Sequence, residues 1–282
     1  MKIYCILPTY NEEAFVGQTL HSLVNQTVIP DKIIVVNDNS TDKTAEIVAD
    51  FERKYDCIVQ VFNPSENKHL PGSKVINAFY KGFNTLDDSF DIIVKLDADL
   101  ILPPNYFERI TAVFQSDEKI GMAGGFAYIE KNNQWILENL TDKDHIRGAF
   151  KAYRKACFEE IGGLKPAMGW DTVDELLCRF YGWNIVTLED LKVKHLKPTG
   201  AIYDQSARYK QGEAFYTLGY GFLITAIAGL KLALRKGKPF LFVDYLKGFF
   251  KAKKAQKPLL VTPQQAQFIR SYRWKKMRAK VF

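Results

Sequence analysis

The sequence predicts an α/β fold: a mainly parallel β-sheet flanked by helices, with a helical, basic C-terminal extension. Three observations predict it. Short apolar runs alternate with segments of helical periodicity through the first hundred residues. Three of the four apolar runs end in polar clusters, PTYNEE, NDNSTD and DAD. The last fifty residues are rich in Lys, Arg and aromatic side chains.

Residues 3–7 (IYCIL) read as a buried strand breaking at Pro8 into a loop. Residues 12–25 carry Phe15, Val16, Leu20, Leu23 and Val24 at near-helical spacing. Residues 32–36 (KIIVV) are a second strand, and Ser40 or Thr41 is placed to cap the helix through Ala45, Ile47, Val48 and Phe51. Residues 57–62 form a third strand, 73–86 a helix, and 91–96 (DIIVKL) a fourth strand. This βαβ series predicts a parallel sheet, and the three polar clusters then share one rim, where such sheets bind ligands. Beyond residue 105 the pattern loosens. Residues 121–128 read as a strand with glycine bends, and 150–163 as a helix ending at Gly162 and Gly163. A helix follows to Tyr181, then a short strand at 185–188, with 192–195 after it.

The 282 residues suit one large α/β domain plus an appendage, divided here as 1–205 and 206–282. With 47% hydrophobic and 25% charged residues, the composition excludes a disordered, collagen-like or low-complexity chain. Cys5, Cys57, Cys157 and Cys178 are scattered without a CxxC motif, which argues against a disulfide scaffold or zinc site and fits a reducing compartment. The apolar run at the start is too short for a signal peptide, so a non-secreted, cytoplasmic protein is expected.

The net charge of +7 conceals an asymmetry. Residues 231–282 hold 15 Lys and Arg against one acid, Asp244, while residues 1–230 hold 24 basic and 31 acidic groups. A basic, aromatic tail on an acidic body suits an anionic partner. Residues 214–230 contain no charge, the short limit for a membrane span, but Gly219 and Gly221 weaken it. Residues 239–250 (PFLFVDYLKGFF) precede Lys251, Lys253 and Lys254, a combination that suits attachment to an anionic membrane surface. Insertion and packing on the main domain are the alternatives. No RRM, KH or zinc signature accompanies the charge, so nucleic acid is not expected.

Asp97-Ala98-Asp99 is the first chemical motif. Residues i and i+2 of a strand point to one side, so the carboxylates converge, and paired hard oxygens suit Mg²⁺ or Mn²⁺. The spacing alone is common: Asp142-Lys143-Asp144 repeats it in a polar stretch that reads as a surface turn. What distinguishes the first copy is the buried strand before it. In Pro8-Thr9-Tyr10-Asn11-Glu12, Tyr10 offers a flat face to a nucleobase and Glu12 an acceptor; a strand-to-helix turn is the alternative. Asp38 suits a base N–H or a helix cap. Asn67-Lys68 and Lys74 lie between the third strand and the following helix, where a lysine could neutralise phosphate or be a solvated surface residue.

As a set, PTYNEE, VNDNSTDKT, KLDADL, and a Gly-Gly followed by WDTVDE and Gly-Trp resemble family 2 glycosyltransferases over about residues 1–200. The resemblance implies the GT-A fold, a nucleotide-diphosphate sugar donor (a UDP-sugar favoured), Mn²⁺ or Mg²⁺, and transfer with inversion to a glycan or lipid-linked hydroxyl. It implies that Pro8, Tyr10, Glu12 and Asp38 hold base and ribose, that Asp97 lies near ribose or metal, and that Asp99 binds metal. A histidine near position 195 can complete the metal set in such enzymes; a structural role for His195 is the alternative. His21, His69 and His145 have no companions and receive no role.

Two departures stand out. Asn37 occupies the place of the first of two acids, and Trp170-Asp171 stands where the family has Glu-Asp. Counting back from Gly182-Trp183 puts the catalytic base on Asp171, and counting back from Leu177-Cys178 puts it on Asp174; Glu175 is a further candidate. Trp170 either stacks on an acceptor sugar or packs in the core. A sugar nucleotidyltransferase would carry a Gly-rich loop where PTYNEE stands, which counts against that rival. A membrane-associated binding protein without turnover is the other. The expected setting is cell-envelope polysaccharide synthesis at the inner face of the membrane.

Overall fold

The computed structural model describes residues 1–64, 72–138, 143–197 and 209–279. Asn67, Lys68 and Asp142 lie outside these residues, as does the 205/206 boundary.

A nine-stranded sheet forms the centre, in the order β3 (Ile58–Phe62), β2 (Lys32–Asn37), β1 (Ile3–Thr9), β4 (Ile92–Leu96), β8 (Phe150–Arg154), β6 (Ile120–Lys131), β9 (Asn184–His195), β5 (Leu100–Ile101), with β7 (Gln134–Leu137) paired to β6. Strands β1 (Ile3–Thr9), β2 (Lys32–Asn37), β3 (Ile58–Phe62) and β4 (Ile92–Leu96) run parallel, as expected. The buried apolar runs of β1, β2 and β4 reflect helices covering both faces, while β3, at the sheet edge, carries Gln60 at its centre. Thr9 pairs with Asn37 and the Asp38 N–H donates to the Thr9 carbonyl at 2.8 Å, so the first two polar clusters leave the sheet level with each other. Helices α1 (Val16–Val24), α2 (Thr44–Glu52) and α3 (Ser73–Phe83) are the crossovers. On α3, Ile76, Phe79 and Gly82 face the sheet; a Cβ on Gly82 would lie 2.6 Å from Val36, so only glycine lets the helix approach this closely.

Residues 150–163 differ from the expected helix. Phe150–Arg154 form strand β8, antiparallel to β4 and β6, and only Lys155–Glu160 are helical (α5). The segment's helix-favouring residues are overridden by a vacant place between two strands, where β8 gains ladder hydrogen bonds on both edges. The strand expected at 121–128 is β6 (Ile120–Lys131), which pairs with β7 (Gln134–Leu137). The two pieces expected at 185–188 and 192–195 are one strand, β9 (Asn184–His195). Its pairing with β6 jumps from Gly124–Thr187 to Phe126–Lys192, so residues 188–191 bulge out where the apolar pattern breaks. The end of β9 pairs with β5 (Leu100–Ile101), setting His195 opposite Leu100. Helix α4 (Tyr106–Ser116) packs on β6.

The C-terminal segment is helical, as expected: α7 (Lys210–Thr217), α8 (Gly221–Arg235), α9 (Leu241–Lys254) and α10 (Pro263–Arg278). The uncharged run at 214–230 is split between α7 and α8 at Gly219, whose φ of +72° no ordinary helix contains. Among the described residues no helix is long and apolar enough to cross a membrane. Phe215, Leu218, Tyr220, Ile224, Val261 and Ile269 join the same buried cluster as the sheet. Helix α10 begins with a capping box, Thr262 with Gln265, and lies against α6 (Trp170–Phe180).

Candidate active site

The site is built on the rim where β1, β2 and β4 end. The loop after β1 turns through Asn11 at φ +52°, a left-handed conformation that asparagine tolerates. The Asn11 side-chain oxygen accepts from the Thr41 N–H at 2.8 Å, and the Asn11 N–H donates to Ser40 Oγ at 3.1 Å. The Glu12 N–H donates to Thr44 Oγ1 at 2.8 Å. Ser40 and Thr41 therefore tie two loops together and do not cap α2, whose N-cap is Lys43. These cross-loop bonds compete for the polar atoms a cap would have used.

Pro8 lies within the β1 ladder, opposite Val36 and one pair before its end at Thr9–Asn37, so the strand runs past the proline where a break was expected. Tyr10 presents an exposed ring, 42% accessible, with Lys74 Nζ 4.3 Å from its centroid. The same ammonium lies 3.4 Å from the buried Asp38 carboxylate, whose other oxygen accepts from Asn63 Nδ2 at 2.6 Å. Glu12 is gripped by Lys197 Nζ at 2.6 Å through both oxygens. Burial still raises the Glu12 pKa, helped by the charges of Asp99 and Asp97 against the pull of Lys197. Glu12 thus feels both acids of the DAD motif.

Asp97 and Asp99 follow β4. The Asp97 carboxylate is paired with the buried Lys95, and its N–H donates to the Ala149 carbonyl at 2.8 Å. The Asp99 carbonyl accepts from the Leu196 N–H at 2.8 Å, which fixes the end of β9 against the motif. His195 Nε2 consequently lies 3.4 Å from Asp99 Oδ2. Ligand atoms of Asp97, Asp99 and His195 lie within 4.8 Å of one another. Burial alone would lower the His195 pKa, but Asp99 and Glu138 outweigh it and hold it at about 9. His195 Nδ1 is buried without a hydrogen bond, 3.8 Å from Glu138 Oε2. Two carboxylates and an imidazole drawn together fit a hard divalent cation.

The opposite wall is the start of α6, preceded by Gly169 at φ +86°. Its three acids have different surroundings. The Asp171 side chain is 37% exposed, with His145 Nε2 at 3.9 Å. The Asp174 side chain is fully buried; it accepts from Lys151 Nζ at 2.9 and 3.0 Å and from the Tyr153 hydroxyl at 2.6 Å. Glu175 is paired with Lys151 at 3.1 Å and His145 at 3.1 Å, and accepts from the Ile146 N–H at 2.9 Å. Burial pushes the Asp174 pKa up. Burial opposes Glu175 too, but Lys151 and His145 prevail and hold it at about 2. Trp170 is buried under Lys95, 5.3 Å from its ring, and Lys151, at 6.0 Å, so it belongs to the floor and not to an open stacking platform. A Cβ on Gly148 would meet Trp170 at 2.7 Å and the Asp171 Cβ at 3.0 Å. Residues 148 and 149 therefore touch α6 on one side and Asp97 on the other.

Sequence reasoning gave His145 no role and missed Lys95, Lys151, Tyr153, Glu138, Asn63 and Lys197. The usable signal was the i, i+2 spacing of Lys151 and Tyr153, which on a strand aims both at one neighbour.

Residues 4–165 match the sequence profile of Glycosyl transferase family 2, more than half of the chain. The chain belongs to this family. A relative, "Probable glycosyltransferase YdaM" of Bacillus subtilis, is 29% identical over 205 residues, covering 64% of this chain and 46% of that protein. "Poly-beta-1,6-N-acetyl-D-glucosamine synthase" of Staphylococcus epidermidis is 25% identical over 238 residues, 73% of this chain and 53% of its own. The chain thus spans about half the length of these curated relatives. Among solved structures, S. aureus TarS 1-349 in complex with UDP-GlcNAc superposes with a TM-score of 0.60 at 18% identity, covering 89% of this chain and 73% of that 1-349 chain. Mannosyltransferase PcManGT from Pyrobaculum calidifontis, in complex with GDP-Man and Mn²⁺, gives 0.59 at 14% identity over 96% of this chain and 79% of its own. The family 2 fold of this chain is therefore the GT-A fold.

Proposed function

We propose that this chain transfers a sugar from a nucleotide-diphosphate donor to a hydroxyl of a glycan or lipid-linked acceptor, with inversion at the sugar carbon. The observation that carries the reading is the convergence of Asp97, Asp99 and His195 on the rim that also bears Tyr10, Glu12 and Asp38. Tyr10 would stack on the base, Asp38 and Glu12 would accept from base and ribose, and Lys74 would turn from Asp38 toward phosphate. Pro8 shapes the turn that carries them. Asp97, Asp99 and His195 would hold Mn²⁺ or Mg²⁺, which when bound stabilises charge on the departing nucleoside diphosphate.

Asp171 would take the acceptor proton. Its carboxylate is reachable, whereas Asp174 and Glu175 already serve Lys151. Direct attack with a single base needs no covalent intermediate and inverts the centre. The relatives' printed names support a role in cell-envelope polysaccharide synthesis. The α8–α9 pair would rest on the inner face of the membrane: Leu223, Ile227, Leu230 and Leu234 form an exposed stripe on α8, and basic side chains flank it.

Thermal shift with UDP, GDP and their sugars, each with and without Mn²⁺, tests the reading. A metal-dependent shift with one nucleotide, lost in Asp99→Asn, is expected, with UDP the first candidate. A folded protein that responds to no nucleotide would refute it.

A further inference from the structure

Glu138 is a buried acid to which the proposed reaction gives no part. It follows β7, and its N–H donates to the Ala127 carbonyl at 2.9 Å, which carries the β6–β7 pairing one residue past Leu137. Ala127 pairs in turn with Val193 of β9, two residues before His195. Residues directly opposite on paired strands, and residues i and i+2 of one strand, point to the same face. Glu138 and His195 therefore emerge on one side of the sheet. Glu138 Oε2 lies 3.8 Å from His195 Nδ1, while Nε2 of the same ring lies 3.4 Å from Asp99 Oδ2. The two carboxylates address opposite nitrogens of one imidazole. Glu138 thus stands behind the ring and outside the group formed by Asp97, Asp99 and His195.

The surroundings of this contact are fixed. His195 Nδ1 is buried without a hydrogen bond, and a buried ring nitrogen needs a partner. The nearby carboxylate is itself compensated by Arg147, whose Nη2 lies 3.1 Å from Glu138 Oε2. Arg147 is tethered on both sides along the chain. The Ile146 N–H donates to Glu175 at 2.9 Å, and the Ala149 carbonyl accepts from the Asp97 N–H at 2.8 Å. The guanidinium therefore holds Glu138 facing Nδ1, about 1 Å beyond an ordinary N–H···O bond.

We propose that Glu138, held by Arg147, is a positioning residue for the metal site: it accepts the Nδ1–H of His195 and so presents the Nε2 lone pair toward Asp97 and Asp99. The inference rests on the metal-dependent transferase reading and adds a residue to it. A neutral imidazole carries one N–H, and only the tautomer protonated on Nδ1 leaves Nε2 able to ligate. Without Glu138 the proton can sit on Nε2, where it would donate to Asp99 and occupy the place of a cation. The same contact fixes the plane of the ring.

Mn²⁺ titration of the full chain without nucleotide, followed by electron paramagnetic resonance, tests it. Glu138→Ala should weaken Mn²⁺ binding at least about tenfold, the loss usual for the outer partner of a ligating histidine. Glu138→Gln keeps an accepting oxygen and should stay within about threefold of wild type. Added to His195→Ala, Glu138→Ala should lower Mn²⁺ affinity no further, because its effect passes through the ring; a merely structural role would give additive losses. Wild-type affinity in Glu138→Ala, equal losses in Glu138→Ala and Glu138→Gln, or additivity with His195→Ala would each overturn the proposal. The double variant Glu138→Met, Arg147→Met removes both charges together and should show the same loss where the alanine variant does not fold; wild-type affinity there would also overturn it. Were the metal reading itself wrong, His195→Ala and Asp99→Asn would leave Mn²⁺ binding unaltered, and the role of Glu138 would fall with it. Losses in those two beside wild-type binding in Glu138→Ala would remove the role of Glu138 alone.

Discussion

Replacing Lys151 by Met should destabilise the protein sharply. Lys151 is fully buried and lies between Asp174 at 2.9 Å and Glu175 at 3.1 Å, with its ammonium also on the Asp171 carbonyl. Methionine keeps most of the stem volume, so the change removes charge more than packing. Two buried carboxylates then lose their shared lysine, with His145 left beside Glu175, and breaking a buried pair this way typically costs about 3–5 kcal/mol. With an unfolding entropy of roughly 2 cal/mol/K per residue, a chain of 282 residues loses about 5–8 °C of Tm for that cost. Differential scanning fluorimetry reads the shift. The triple variant Lys151→Met, Asp174→Asn, Glu175→Gln removes all three charges and keeps the shapes, so it should recover at least half of the loss. A single variant within 1–2 °C of wild type would refute the electrostatic account. A triple variant no better than the single one would show that the cost lies in packing.

Other outcomes follow from the same geometry. Asp171→Asn should lower turnover by about 10²- to 10⁴-fold while the nucleotide-induced thermal shift persists; a normal rate would remove Asp171 as the base. Tyr10→Ala should weaken nucleotide binding by roughly 5- to 150-fold in calorimetry, the range of base–aromatic stacking, and an unchanged affinity would place the base elsewhere. His195→Ala should lower Mn²⁺ affinity at least about tenfold by electron paramagnetic resonance, and an unaltered Mn²⁺ spectrum would leave His195 only its contact with Asp99. Glu175 titrates at about 2 in the fold against an ordinary 4.5, so its stabilisation is complete above 4.5 and disappears as pH falls toward 2. The stability gap between wild type and Glu175→Gln should therefore shrink on acidification, by at most about 3 kcal/mol, and a gap that widens would refute the assignment.

What the sequence made legible was local. Strands β1, β2 and β4 are continuous apolar runs, and their polar ends sit on one rim because parallel pairing leaves no other arrangement. What it hid depends on distant pairing. Residues 150–154 look helical in isolation and become a strand only because β4 and β6 flank them. The two-residue β5 has no signal of its own, yet it brings His195 to Asp99. A count of uncharged residues over 214–230 ignores Gly219, whose positive φ ends one helix and turns the chain toward the core. The resemblance named both Asp171 and Asp174 because spacing along a helix does not say which turn is buried. Helical geometry separates them: Asp171 is in the first turn, while Asp174 and Glu175, one turn on, face β8.

The position of Trp170 has a physical consequence for the two halves of the site. Lys95 on β4 and Lys151 on β8 are directly opposite in the antiparallel register. Two like charges so placed repel each other. Each is compensated in a different direction, Lys95 by Asp97 and Lys151 by Asp174 and Glu175, and both ammoniums lie over the Trp170 ring. The electron-rich face attracts both cations without presenting a fourth carboxylate to be desolvated. The candidate metal ligand and the helix bearing the candidate base are thereby held by neighbouring lysines on paired strands with one indole between them. A disturbance at either lysine should reach both donor and acceptor sides, which is how a buried charge cluster remote from the substrate can set the spacing between leaving group and base.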